Sequence, residues 1–194
     1  MTGLAKTPFW FLRHGETDWN ARNVTQGRTD VPLNARGEAQ AEACGAVLAG
    51  RGIATIVAST LGRAIRTAEI VGAALGLPFT TDPELREADF GIEEGRPMGT
   101  WYERWVTGEY APEEAETFPA LRRRAVAALN RALAKEGPVL VIGHGGFFRA
   151  ARAEMGLDPR VRTANGVPFW CEPGTSWTLV PLEEVRPAPT PAKV

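Results

Sequence analysis

The sequence predicts a three-layer α/β/α sandwich, in which helices cover both faces of a mostly parallel central sheet and a small helical or loop cap lies at one end. Short apolar runs recur at Phe9–Leu12, Ile53–Ser59 and Pro138–Ile142, and each is followed by a longer amphipathic stretch. Continuous apolar runs of this length are typical of parallel strands covered on both faces. The alternation of strand and helix therefore indicates an α/β fold with right-handed connections.

The remaining elements follow from weaker patterns. Pro78–Thr81 and Ser176–Leu182 are candidate strands near a sheet edge. Four helices are predicted from apolar spacing and from their end signals. They run from the cap Asn34 to about Ala49, from Leu61 to the stop at Gly76, from Phe118 to Gly137-Pro138, and from Gly145 to about Met155.

The length of 194 residues fits one domain with a sizeable core, which we place over residues 1–185. Gly95–Pro119 has no clear strand pattern and is predicted to form the cap (about 95–119) over one end of the sheet. Arg186–Val194 is rich in Pro and Ala and cannot pack a core, so we expect a disordered tail.

The charge pattern argues against nucleic-acid binding. Charged residues make up 23% of the chain and the formal net charge is −1, whereas nucleic-acid binders usually carry a basic excess or stripe. The longest basic run, Arg122–Arg124, lies in a predicted helix and is interpreted as a solvated face.

The chain shows no sign of a membrane or secretory location. No apolar run reaches the roughly 18 residues that a spanning helix needs, and the first residues lack the pattern of a signal peptide. Cys44 and Cys171 lie outside any CxxC pair and are interpreted as thiols in a reducing compartment. We therefore expect a cytoplasmic protein with no membrane partner.

The two histidines of the sequence occupy similar positions. His14 follows the first apolar strand within Arg-His-Gly, and His144 follows the Pro138–Ile142 strand within Gly-His-Gly-Gly. Ligands of open α/β sheets bind at the carboxyl ends of the strands. Gly145 and its neighbour let the backbone approach a ligand, and the helix that begins there offers N–H groups to an anion. A purely structural role for each histidine is the alternative.

These segments resemble the histidine phosphatase superfamily, in its phosphoglycerate mutase-like branch. The resemblance covers most of residues 9–146 in the expected order. It is carried by five blocks: Leu12-Arg13-His14-Gly15-Glu16-Thr17 with Trp19-Asn20, Gln26-Gly27 with Asp30 and Pro32-Leu33, Ser59–Ala68, Leu85–Gly95, and Ile142–Gly146. The family often has an arginine two residues before the position of Gln26, where this chain has Val24.

The resemblance implies that His14 is a nucleophile and forms a phosphohistidine. Neighbouring arginines would keep its imidazole neutral by disfavouring a second positive charge. Arg13, Arg63 and His144 would hold the phosphoryl oxygens, since guanidinium groups match phosphate geometry. Glu87 would protonate the leaving group and then activate water.

Other residues have less certain roles. Glu16 and Asp89 are weaker candidates for the acid. Thr17, Asn20, Gln26, Gly27 and Gly145 are candidate substrate-binding residues, against the alternative of ordinary loop polarity. With two histidines and neither a HExxH nor a CxxC pattern, we expect no metal and no other cofactor.

Three functions remain open for such a chain. A phosphatase acting on a small phosphate monoester is favoured, because the predicted cap is compact and acidic and should repel a second phosphate. A phosphoglycerate mutase-type transferase and a catalytically weak phosphate-binding module are the alternatives. The cap aromatics would form its own small core or stack on a flat leaving group. The Trp-rich segment Pro168–Trp177 is a candidate dimer edge, so a homodimer is a further expectation.

Overall fold

The computed structural model describes residues 3–182, so the predicted disordered tail and the boundary at residue 185 lie outside the described residues. The strands are β1 Phe9–Arg13, β2 Thr55–Ser59, β3 Phe79–Asp82, β4 Val139–Gly143, β5 Pro168–Glu172 and β6 Thr178–Pro181. The helices are α1 Asp18–Ala21, α2 Ala35–Leu48, α3 Gly62–Leu75, α4 Trp101–Thr107, α5 Phe118–Leu133 and α6 Gly145–Glu154.

The six strands form one sheet in the order β3-β2-β4-β1-β5-β6. The first four in this order are mutually parallel, β5 runs antiparallel to β1, and β6 runs antiparallel to β5. The predicted α/β fold with a mostly parallel sheet is confirmed, and the two weak strand candidates are the edge strands β3 and β6. In this order β1 and β4 are neighbours, which brings the two histidine-bearing strand ends together.

The strand β5 was not predicted. Its first residue is Pro168 and its next two side chains are half-buried, so it lacks the continuous apolar run of the central strands. β5 pairs with β1 on one side and with β6 on the other, so it is an inner strand of the sheet. A dimer edge in Pro168–Trp177, and the homodimer itself, stay predictions.

Successive side chains of each strand point to opposite faces of the sheet and so pack into two separate hydrophobic cores. On one face Phe9, Phe11 and Val141 pack under α5, α6 and the cap. On the other face Leu12 and Ile142 pack under α2 and α3. Both faces are therefore covered, which explains why the central strands consist of apolar residues without a polar alternation.

The cap contains the helix α4 and is held by aromatic side chains. Trp105 is fully buried, and the Phe90 ring makes edge contacts with Trp101, Tyr102 and Trp105 at centroid distances of 5.0–5.7 Å. Phe118 extends this cluster into α5. The aromatic residues thus form mainly the cap's own core, with Tyr102 also facing the cavity described below.

The basic run Arg122–Arg124 is not a uniformly solvated face. Arg123 is exposed, but the Arg124 side chain is 11% exposed and inserts between α5 and the segment that carries Glu87. The helical period explains the difference, because Arg124 is on the side of α5 that also carries the buried Leu121 and Ala128.

No helix within residues 3–182 is long and apolar enough to cross a membrane. Cys44 and Cys171 are both buried and form no disulfide within the described part of the chain.

Candidate active site

His14 and His144 lie side by side at the carboxyl ends of β1 and β4. Arg13 is the last residue of β1 and aligns with Gly143, the last residue of β4. The His14 N–H donates to the carbonyl of Gly143 across 3.0 Å. The centroids of the two imidazole rings are 5.2 Å apart. The parallel pairing of β1 with β4 therefore determines the spacing of the two rings.

The hydrogen bonding of His14 leaves one ring nitrogen available. Its Nδ1 is 2.7 Å from the Gly15 carbonyl oxygen, which can only accept, so Nδ1 carries the proton and Nε2 keeps its lone pair. The ring is 2% exposed. Burial, and then the charges of Arg63 and Arg13, hold the pKa of His14 well below its usual range. These effects favour the neutral imidazole at neutral pH.

His144 is fully buried, and the ring nitrogen that forms its hydrogen bond is the opposite one to that of His14. Its Nε2 is 2.7 Å from the hydroxyl of Ser59, and its Nδ1 has no hydrogen-bond partner among residues 3–182. The Ser59 oxygen also accepts the Leu61 N–H at 3.3 Å. Burial and the charge of Arg63 lower the pKa of His144 well below its usual range.

Arg13 and Arg63 place two buried positive charges beside His14. Arg13 donates from Nη1 to the Thr163 carbonyl across 2.7 Å. Burial lowers the pKa of Arg13 to about 10, with the Glu87 charge opposing the shift, so it remains protonated at neutral pH. Arg63 is 1% exposed and donates to the carbonyls of Thr29 and Gly27 at 2.9 and 2.7 Å. The Nε atoms of both arginines have no hydrogen-bond partner within the described residues, so both donors are available to bind an anion.

The loop at Gly27–Thr29 that orients Arg63 is itself held by Glu94. The Glu94 carboxylate accepts the N–H groups of Arg28 and Thr29 at 2.8 and 2.9 Å and the Thr29 hydroxyl at 2.6 Å. Gly27 has a φ of 55°, and a Cβ at this position would overlap Glu94. Glycine is therefore required here for the turn to close on the carboxylate.

Glu87 faces the histidines from the loop that follows β3. Its carboxylate accepts the N–H groups of Gly146 and Phe147, both at 2.8 Å, in the first turn of α6. The N–H of Ala88 donates to the same carboxylate at 2.9 Å. Free N–H groups at a helix N-terminus suit a carboxylate, so α6 fixes the position of this side chain.

The two weaker candidates for the acid lie elsewhere. The Asp89 carboxylate is 3.3 Å from Arg28, and Glu16 is within 3.4 Å of Arg36. Neither side chain lines the cavity, whereas Glu87 does. The geometry therefore favours Glu87 among the three carboxylates.

A cavity of about 220 Å³ opens onto this constellation. It gathers most of the residues that sequence reasoning selected: Arg13, His14, Asn20, Gln26, Gly27, Arg63, Glu87 and Gly145. Val24 also lines it, at the position where the family often has an arginine. His144 and Thr17 do not line it. A direct contact of His144 with a phosphoryl group thus remains a prediction.

Thr17 has a structural role in the loop after His14. Its hydroxyl accepts the Asn20 N–H at 3.2 Å and the Gln26 side-chain amide at 2.6 Å. Asn20 in turn accepts the side-chain amide of Asn165 at 3.1 Å through Oδ1. Thr17 therefore orients two cavity residues, Asn20 and Gln26, and its own hydroxyl is occupied by them.

Sequence reasoning missed the cavity residues Asn23, Met98, Arg149, Arg162 and Thr163. It considered Tyr102 only as one of the cap aromatics. The guanidinium of Arg149 lies over the Tyr102 ring, 5.1 Å from its centroid. Burial raises the pKa of Tyr102, so its hydroxyl remains protonated. Arg149 lies one helical turn after Gly145, a spacing that could have revealed it. Arg162 and Thr163 belong to an irregular segment that carries no such signal.

The cap does not present negative charge to the cavity. Glu103, Glu109, Glu113 and Glu114 are exposed, and the only carboxylate that lines the cavity within the described residues is Glu87. Four arginines line the same cavity. These acidic side chains of the cap therefore do not line the cavity, and the repulsion of a second phosphate stays a prediction.

Among residues 3–182 no group of three or more His, Cys, Asp or Glu side chains is placed to hold a metal ion.

The fold and the site together define a class of protein, an α/β protein with a buried histidine pair and paired arginines at the carboxyl edge of a parallel sheet. The chain belongs to the histidine phosphatase superfamily (branch 1), whose family model matches residues 9–180. The resemblance inferred from the sequence blocks is confirmed.

Similar proteins include both phosphatases and mutases. An uncharacterized phosphatase, PhoE of Bacillus subtilis, is 37% identical over 163 residues, 82% of this chain and 83% of that protein. A probable phosphoglycerate mutase, GpmB of Citrobacter koseri, is 37% identical over 174 residues, 84% of this chain and 77% of that protein. A mycobacterial glucosyl-3-phosphoglycerate phosphatase solved with VO3 superposes with a TM-score of 0.79 at 27% identity, covering 90% of this chain and 97% of that one.

Proposed function

We propose that this protein is a metal-independent phosphatase that hydrolyses small phosphate monoesters through a phosphohistidine on His14. The observation that carries the proposal is the free Nε2 of a neutral, buried imidazole in a cavity lined by Arg13 and Arg63. A loose, highly charged phosphoryl group is stabilised chiefly by positioning and by positive charge. The two guanidinium groups supply both.

The first step transfers the phosphoryl group to the enzyme. The Nε2 lone pair of His14 forms a bond to phosphorus while the bond from phosphorus to the ester oxygen breaks. Protonated Glu87 gives its proton to the departing alkoxide. Arg13, Arg63 and the Nδ1–H of His144 stabilise the phosphoryl oxygens.

The second step releases inorganic phosphate. Water attacks phosphorus, the bond from phosphorus to Nε2 breaks, and the Glu87 carboxylate takes a proton from the water. Both the imidazole and Glu87 return to their starting states. The N–H groups of α6 hold Glu87 in place for both proton transfers.

The proposal is tested with p-nitrophenyl phosphate near pH 6 in excess EDTA, comparing the wild type with His14→Ala. We expect turnover in the wild type and a loss of about 10³-fold or more in the variant. Labelled phosphate trapped by rapid denaturation should appear on wild type and on Glu87→Gln, and not on His14→Ala. Turnover that survives the loss of His14, or that EDTA abolishes, would refute the mechanism.

A mutase is the second candidate, because Arg149 and Arg162 add positive charge to the cavity and GpmB proteins are among the relatives. Such charge suits a substrate with two anionic groups. Incubation with 3-phosphoglycerate and 2,3-bisphosphoglycerate, followed by phosphorus NMR, separates the two activities. A phosphatase accumulates inorganic phosphate, whereas a mutase accumulates 2-phosphoglycerate.

A further inference from the structure

The guanidinium of Arg124 binds main-chain carbonyls of Glu87 and of the residues just before it. Its Nη1 donates to the carbonyls of Glu84 and Arg86 at 2.7 and 2.8 Å, and its Nη2 lies 3.3 Å from the carbonyl of Glu87 itself. Three carbonyls within four residues thus converge on one side chain. Such convergence fixes the path of the backbone between the edge strand β3 and the active site.

The same guanidinium forms a fork with Glu116 at the end of the cap. Its Nε and Nη2 lie 2.8 and 2.6 Å from the two Glu116 oxygens. The two side chains are 11% and 13% exposed, so the pair is largely shielded from solvent. All five N–H groups of a guanidinium have acceptors in this arrangement, and lysine could not reproduce it.

Glu116 connects this fork to the cap and to the next residues of the acid loop. Its backbone N–H donates to the Asp89 carbonyl at 2.8 Å, and its own carbonyl accepts the indole N–H of Trp105 at 2.8 Å. Arg28 lies 3.6 Å from its carboxylate. The Arg124–Glu116 pair therefore lies where α5, the cap and the Glu87 loop meet.

We propose that Arg124, together with Glu116, is a positioning residue that holds Glu87 at the site of proton transfer. The first turn of α6 fixes the carboxylate end of Glu87, and Arg124 fixes its main-chain end. Arg124 does not line the cavity and touches no reacting atom. Its influence on the proton transfer passes through Glu87, and the inference rests on the proposed role of Glu87 as the acid.

The proposal has a consequence that depends on the leaving group. An alkyl phosphate releases a strongly basic alkoxide that needs a proton, whereas p-nitrophenolate leaves readily without one. Displacing Glu87 should therefore slow the hydrolysis of an alkyl ester far more than that of the nitrophenyl ester, because general acid catalysis typically contributes 10²–10⁴-fold.

The experiment compares kcat/KM for glycerol 3-phosphate and p-nitrophenyl phosphate in wild type, Arg124→Gln and the matched control Arg123→Gln. Arg123 is an exposed neighbour on the same helix. We expect Arg124→Gln to lose about 10–100-fold on the alkyl ester and about threefold or less on the nitrophenyl ester. Arg123→Gln should lose neither. Equal losses on both esters, or no loss, would overturn the positioning role.

Two further variants make the outcome interpretable. Glu87→Gln must itself lose more kcat/KM on the alkyl ester than on the nitrophenyl ester, and if it does not, the proposed acid is wrong. If Glu87→Gln shows this selective loss and Arg124→Gln does not, only the role of Arg124 is refuted. If Arg124→Gln fails to fold, Glu116→Gln keeps the guanidinium and its carbonyl contacts. It should show a smaller loss of the same selectivity, and an unselective loss would again overturn the proposal.

Discussion

In the proposed mechanism the Ser59 hydroxyl donates to Nε2 of His144, which places the ring proton on Nδ1. It is 2.7 Å from Nε2 and is itself oriented by the Leu61 N–H at the start of α3. Without it, the buried ring would be free to place its proton on Nε2 and present a lone pair toward the phosphoryl site. A lone pair there would repel the phosphoryl oxygens that Nδ1–H is expected to bind.

We therefore predict that Ser59→Ala lowers kcat about tenfold, the effect of losing one buried hydrogen bond worth about 1.4 kcal/mol. KM should change less, because the positive charges of Arg13 and Arg63 remain. Steady-state kinetics with p-nitrophenyl phosphate measures both constants, and Ser176→Ala, at an exposed serine, is the control. An unchanged kcat would show that Ser59 does not set the state of His144.

At the residue scale, sequence reasoning found the side chains that carry motif chemistry and missed those that act through geometry. His14, Arg13 and Glu87 lie in family blocks, so their types and order suffice to select them. Arg124 could not be selected, because an arginine in a basic run becomes structural only when the fold places carbonyls around it. Arg162 and Thr163 reach the cavity from an irregular segment whose path no local pattern specifies.

At the scale of elements, the start of α2 supports the loop that follows His14. Asn34 caps this helix through the Gly37 N–H, while the Asn34 N–H donates to the Glu16 carbonyl at 3.0 Å. Gln40 accepts the Glu16 N–H at 2.8 Å. A Cβ on Gly37 would overlap the backbone of Glu16. The helix and the loop are therefore in backbone contact that only glycine permits.

We predict that Gly37→Ala destabilises the protein by about 1–3 kcal/mol and lowers turnover, because the loop beside His14 must shift. Helix propensity alone would give the opposite sign, a gain of about 1 kcal/mol. Urea denaturation with an activity assay measures both effects. Gly3→Ala is the control, since nothing lies near a Cβ at that position. A stabilised, fully active Gly37→Ala protein would contradict the prediction.

The elements themselves were predictable to the extent that burial leaves a local pattern. The central strands are apolar throughout because both faces of the sheet are covered, and the long helices carry clear stops such as Gly76, which has a φ of 67°. The strand β5 and the short helix α4 were missed. Each is stabilised by neighbours, β5 by pairing on both sides and α4 by the Phe90 cluster, and such tertiary support is not visible in a local window.

At the scale of the whole molecule, two buried neutral histidines link stability to pH. The pKa of each is lower in the folded protein than its ordinary value of 6.5. As pH falls below about 6.5, the two histidines bind protons in the unfolded chain but stay neutral in the folded protein. The free energy of unfolding should then decrease by up to about 1.4 kcal/mol per pH unit for each histidine.

We predict that urea denaturation of the wild type at pH 7.5, 6.0 and 5.0 shows this loss on the acid side, with a slope near two protons. His14→Gln, which removes one of the two groups, should halve that slope. Equal slopes in the two proteins would show that His14 is protonated equally in the folded and unfolded states. Within this range the wild type should retain the neutral His14 that nucleophilic attack requires.

The pairing of β1 with β4 joins Trp10 to Leu140, and the Asn165 side chain donates to the His14 carbonyl at 3.0 Å. A ribosome must therefore release the chain as far as Asn165 before His14 acquires these contacts. Contacts so distant in sequence are slow to form, since the intervening loop must close first. A nascent chain that stops before Val139 would carry His14 without the strand that positions it, so the proposed phosphoryl transfer should begin only after β4 has been synthesised and paired.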